Sequence, residues 1–262
     1  MFFRLDSWEL ALIILAIVGG ATVAGFVGGR YLREHSAAMR EPYGVLQAAL
    51  LGVVGLILAF GLSLAVDRYQ NRRATLVEES NAIGTTYLRA QLIAEPQRSE
   101  SLALLRRYTT LALRITHEVP NSDAIRRTSA QEGALQRRLW RLAGQAMAGA
   151  PVASAPRLYV DTLNSTIDQQ SVRLSALANR VPAAVLAVEV IGASVALGLL
   201  AFHISLLGRG LLPMLAAAGL VTMLLLVTFD LDRPSRGLIR VPDAPLKALR
   251  ASMVLPPAAS GP

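Results

Sequence analysis

The stretch VLQAALLGVVGLILAFGLSLAVDRYQNRRATL, Val45 to Leu76, decides the fold. As far as Val66 it carries no charge and is long enough to cross a bilayer, which takes about 20 apolar residues per helix. It then passes into Asp67, Arg68, Arg72 and Arg73 without a breaker, so the spacing predicts one helix that leaves the membrane and continues to about Ala94.

Three further apolar blocks run from Trp8 to Gly29, Ala183 to Leu206 and Leu211 to Phe229, in a chain of 262 residues that is 53% hydrophobic and only 17% charged. These are continuous runs rather than alternating ten-residue segments, which implies helices and not barrel strands. The expected fold is therefore all-α: an integral membrane protein with four transmembrane helices and a helical cytoplasmic domain between helices 2 and 3. The first block has only Arg4 as a basic flank and exceeds a usual signal core, so it is expected to be retained. Gly208-Arg209-Gly210 makes the last two helices a tight hairpin. The expected parts are an N-terminal helix pair over 1–66, a helical bundle over 67–182, a C-terminal hairpin over 183–229 and a tail over 230–262.

The central segment has helical spacing throughout. Leu76, Ser80, Ile83 and Tyr87 share a face, as do Leu105, Tyr108, Leu111 and Ile115, then Leu135, Leu139, Leu142 and Ala146, then Leu163, Ile167, Gln170, Leu174 and Leu177. Pro96, Pro120 with Asn121 and Ser122, and Pro151 with Ser154 and Pro156 punctuate these runs. The third membrane helix is expected to begin near Pro156 and to kink at Pro182. The Pro/Ala/Gly-rich end after Val254 is expected to be disordered.

Of the 26 basic residues one is lysine, and none forms a patch interleaved with aromatics, so the formal charge of +8 points to no nucleic-acid partner. It does orient the chain. With the N-terminus inside, Arg4, Arg68, Arg72, Arg73, Arg173, Arg180, Arg233, Arg236, Arg240, Lys247 and Arg250 face the cytoplasm, against Arg30, Arg33, Arg40 and Arg209 outside. Cysteine is absent, which removes disulfides and thiolate chemistry. There is no P-loop, GxGxxG or HExxH, and GLSLA at Gly61 lies in an apolar helix, so neither an enzyme nor a cofactor is expected.

Several polar residues stand out. With membrane edges near Val66 and Ala183, an antiparallel pair of long helices places residue i level with residue 249 − i. Glu78, Asn81, Thr85 and Arg89 form one stripe; their levels match Ser171, Asp168, Asn164 and Val160 beside Asp161. The stripes are either solvated faces or a seam lining a pore or ligand site. Glu189 sits in the third apolar block, where acids usually face a cavity or partner, unless the side chain reaches to the headgroups. Arg233 and Arg236 suit a helix C-terminus, whereas Asp230 and Asp232 oppose its dipole and are expected to pair with Arg68, Arg72 or Arg73, or to hold a cation. His203, near the outer end of its block, is expected to be interfacial rather than a ligand, and His35 and His117 are isolated. Ala21, Gly25 and Gly29, and likewise Gly55, Ala59 and Ser63, recur every four residues and allow close helix approach in lipid.

VEESNAIGTTYLRAQLI (Val77 to Ile93), LNSTIDQQSVRL (Leu163 to Leu174) and FDLDRPSRGLIRV (Phe229 to Val241) resemble a bacterial family of bestrophin-like membrane proteins, over nearly the whole chain. The resemblance implies a multi-pass protein of the bacterial cytoplasmic membrane, a homo-oligomer (a pentamer in bestrophins) and conduction of small ions. The longer acidic run that bestrophins carry after their last membrane helix is not present, nor is a bestrophin neck motif. An ion channel is one expectation; the other is a membrane-anchored helical sensor or scaffold whose bundle meets a partner.

Overall fold

A computed structural model describes residues 7–32, 40–208, 212–233, 235 and 237–254. Among these are eight helices: α1 (Ser7–Leu32), α2 (Arg40–Ala90), α3 (Gln97–Ile115), α4 (Asp123–Gly149), α5 (Ser154–Ala178), α6 (Ala183–Leu206), α7 (Leu212–Leu231) and α8 (Ala244–Ser252). The chain divides into two compact units, residues 1–68 with 180–239 and residues 69–179 with 240–262. The 51-residue α2 contributes to both.

The first unit holds α1, the apolar part of α2, α6 and α7, all within helices long and apolar enough to cross a membrane. The chain is an integral membrane protein. Glycine decides how α1 meets α6: a Cβ on Gly25 would overlap the Gly198 carbonyl oxygen, and one on Gly29 would lie 2.9 Å from Ser205 Cβ. Residue numbers rise together along this contact, so the two helices run parallel. Their backbones touch because no side chain intervenes, which maximises dispersion contact where lipid supplies no hydrophobic drive. The second small-residue stripe behaves differently. Among the described residues nothing lies within 4 Å of a Cβ at Gly55, and Ala59 and Ser63 are exposed.

The second unit is a bundle of the polar part of α2 with α3, α4, α5 and α8. Its core gathers Leu76, Ile83, Tyr87, Leu105, Tyr108, Leu139, Leu142 and Leu163, members of all four expected faces, with Leu246 and Met253 from α8. The turn before α4 uses Asn121 at φ 62° and caps the helix with Ser122, whose Oγ accepts the Ile125 N–H at 3.3 Å.

Two expectations need correction. The third long helix does not kink at Pro182 but ends: α5 stops at Ala178 and α6 restarts at Ala183. Proline has no N–H to give and pushes its predecessor out of helical geometry; the freed Val181 N–H instead donates to Asp232 Oδ1 at 3.0 Å. α2 closes at Ala90, short of Ala94, as Gln91 and Leu92 donate back to the Leu88 and Arg89 carbonyls in a tightened turn. The tail carries a further helix. α8 docks through buried Leu246 and Met253, and Tyr87 Oη donates to the Met253 carbonyl at 3.0 Å. Asp243, beside the α8 start, accepts from Lys247 Nζ at 2.9 Å and His117 Nε2 at 3.1 Å. The segment after Val254 lies outside the described residues.

Candidate functional site

In the second unit α2 and α5 run antiparallel, close to the expected register. Arg89 Nη1 donates to the Leu158 carbonyl at 2.9 Å and Asp161 Oδ2 at 3.2 Å, and Thr86 Oγ1 meets Thr166 Oγ1 at 2.8 Å. Of the two polar stripes, only Arg89 and Asp161 are brought together. Glu78, Asn81, Thr85, Asn164, Asp168 and Ser171 are exposed, and Asn164 Nδ2 donates within its own helix to Asp168 Oδ2 at 3.3 Å. Exposed positions recur along α2 every three or four residues: Gly52, Gly55, Ala59 and Ser63 in the first unit, Gln70, Ala74, Glu78, Asn81 and Thr85 in the second.

The buried polar contacts belong to neighbouring residues. Glu79 forms an ion pair with Arg173, and Arg173 Nη2 also donates to the Ala112 carbonyl at 3.1 Å and Thr116 Oγ1 at 2.9 Å. Alongside, Gln170 Nε2 donates to Glu132 Oε2, while Gln136 Nε2 donates to Gln170 Oε1 at 2.8 Å and Tyr108 Oη at 3.2 Å. Burial, and after it the negative charge of Glu79, pushes the Glu132 carboxyl up to about 8. Glu132 therefore stays protonated at neutral pH and joins the network as a neutral group. Glu79, Glu132 and Gln136 were not singled out from sequence, and Arg173 only for the orientation of the chain. Gln170 did appear in a run of apolar positions, the one visible sign of a polar network in the core.

A third buried polar group closes the end of α5. Arg72 is 2% exposed and its Nη2 donates to the Asn179 carbonyl at 2.9 Å, where a cation offsets the negative helix terminus.

Glu189 is buried on α6 rather than reaching outward to headgroups. Its carboxyl lies over Gly61 of α2, and among the described residues neither oxygen has a hydrogen-bond partner.

At the end of α7 the carboxylates serve the backbone. Asp230 accepts the Leu238 N–H on Oδ1 at 2.8 Å and the Ile239 N–H on Oδ2 at 2.7 Å. A Cβ at Gly237 would sit 2.7 Å from the Asp230 carbonyl oxygen and 3.0 Å from its carboxylate, so the turn closes only over glycine. Asp232 accepts from Val181, and its charge and that of buried Arg233 both act on Arg180. Asp232 thus lies beside Arg180, and Asp230 holds a turn. No group of three acidic or histidine side chains able to hold a metal ion occurs among the described residues. Arg236 lies outside them.

Four membrane-spanning helices joined to a helical bundle by a continuous α2 define a multi-pass helical membrane protein. Residues 11–246 match the Bestrophin-like domain, and the chain belongs to the Bestrophin-like family. No curated protein matches it. The fold is that of a bacterial bestrophin homologue from Klebsiella pneumoniae: its crystal structure aligns at a TM-score of 0.69 and 12% identity, covering 93% of this chain and 97% of that one. A variant of that homologue aligns at 0.68 and 12% identity, with 94% and 98% covered.

Proposed function

We propose that this protein is a homo-oligomeric ion channel of the bacterial cytoplasmic membrane, with the exposed face of α2 turned toward the ion path. The observation that carries this reading is the run of uncovered positions along α2. Small residues occupy it where the helix is apolar, and Glu78, Asn81 and Thr85 where it is polar. Small side chains leave room around a symmetry axis, and polar groups beyond them substitute for an ion's hydration shell. Asn164 and Asp168 on α5 add acceptors to the same polar part. The family resemblance supports a pentamer, and the arginine bias supports cytoplasmic termini and a cytoplasmic bundle. The reading assigns transport rather than catalysis.

The test begins with oligomeric state, measured by native mass spectrometry of the detergent-purified protein. Flux of small ions into liposomes follows, and Glu78→Gln and Asp168→Asn should alter selectivity without dissociating the oligomer. A monomer that leaves liposomes ion-tight would overturn the channel and favour a membrane-anchored scaffold. Orientation is checked separately: single cysteines at Ser99, Ser129 or Ser252 should resist an impermeant thiol reagent in intact cells, while one at Ser36 reacts.

A further inference from the structure

Glu189 lies nearly two turns into α6 and is 1% exposed. Among the described residues neither carboxyl oxygen has a hydrogen-bond partner. The side chain is aimed at α2, where it fills space that only glycine leaves free: a Cβ on Gly61 would overlap Oε1 and lie 3.0 Å from Oε2. Charged residues of the first unit on the elements packed against α6 are Glu9 and Arg30 on α1, Arg40, Glu41, Asp67 and Arg68 on α2, and Asp230, Asp232 and Arg233 at the end of α7; α6 itself carries His203 and is preceded by Arg180. Among the described residues none forms an ion pair with Glu189.

A bare carboxylate among apolar groups, with neither a donor nor a counter-ion, carries a large desolvation penalty that binding a cation removes. We propose that Glu189, seated in the notch left by Gly61, is a cation-binding site of the membrane unit and that the cation is a proton. A metal ion would need several oxygen ligands, and the notch offers the two oxygens of one carboxyl. A proton needs only one of them: an O–H bond forms on binding, and release returns the proton to water and leaves the carboxylate negative. The released state has its charge against the Gly61 backbone with nothing donating to it. The side chain must then turn out of the notch or draw water in, so the α2–α6 contact responds to pH. This inference does not depend on whether the protein conducts ions.

Infrared difference spectra of the reconstituted protein between acidic and alkaline pH test it. At neutral pH the protonated-carboxyl C=O absorbance should lose one component in Glu189→Gln. Glu132→Gln should remove a different component and leave that of Glu189 in place. Gly61→Ala, which evicts the carboxyl from the notch, should shift the Glu189 band. Unchanged absorbance in Glu189→Gln would mean that the group is ionised and would overturn the proposal. Wild-type protein supplies a test that needs no variant. An apolar carbodiimide, which adds to protonated carboxyls, should tag Glu189 by peptide mapping when it is added at neutral pH, should fail to tag protein held at alkaline pH, and should tag protein returned to neutral pH before the reagent is added. Absence of the tag at every pH, or its suppression by sodium ions at fixed pH, would overturn the assignment to a proton.

Discussion

Replacing Glu132 by glutamine should make the bundle more stable at alkaline pH than the natural sequence. Glu132 is fully buried and its carboxyl is pushed from 4.5 up to about 8. In the unfolded chain it meets water and ionises in the ordinary range. Folding therefore takes up a proton between these two values. The contribution to stability is greatest below the unfolded value, falls as pH rises through the interval, and levels off once the folded state has also lost its proton. At pH 7 the gap from the unfolded value corresponds to about 3 kcal/mol. Glutamine never ionises and keeps an oxygen for Gln170 Nε2. Its amide nitrogen replaces Oε1, which has no partner, at a cost of about 1 kcal/mol independent of pH. The difference between the two proteins should grow by about 1.4 kcal/mol per pH unit from pH 5 to 8. For a chain of this size that is roughly 3–5 °C of Tm per unit. Thermal loss of helical circular dichroism in detergent, recorded for both proteins across this range, measures it. Parallel curves would refute the reasoning, because they would mean that Glu132 enters the fold already charged.

Gly25→Leu should prevent α1 from seating on α6 and abolish folded yield by size-exclusion chromatography, whereas Gly55→Leu should leave the chain folded and disturb only the proposed oligomer. Asp230→Ala removes the acceptor of two amide donors, and a loss of about 2–4 kcal/mol should appear as a lower unfolding temperature, with Asp230→Asn intermediate. Leu246→Ala should cost about 2–5 kcal/mol and expose the α8 amides to hydrogen exchange while the α1–α6 pair stays protected.

The membrane spans were legible because long uncharged runs have one solution in a bilayer, and the bundle faces because three-and-four spacing fixes which residues share a side. What escaped was azimuth. Glu78 and Glu79 are adjacent acids, and a turn of about 100° separates the exposed one from the one paired with Arg173. A clue was present, since Glu79 falls three residues after Leu76 and four before Ile83, on the apolar side of α2. Glu132 had no such marker among the arginines and glutamines of α4. The break at Pro182 was foreseen only as a kink, because nothing in the local sequence tells that Asp232, far along the chain, receives the Val181 N–H. Asp230 likewise reads as a misplaced charge until the turn over Gly237 closes on it.

Lys247 is the only lysine in the sequence, and its amine is held by Asp243 beside the start of α8. A reagent that acylates side-chain amines thus has one address on the folded protein. Acylation there would erase the positive charge and leave Asp243 to His117 alone, so the same adduct both reports on the last helix and loosens it. The guanidinium groups that make up the rest of the basic surface would be untouched.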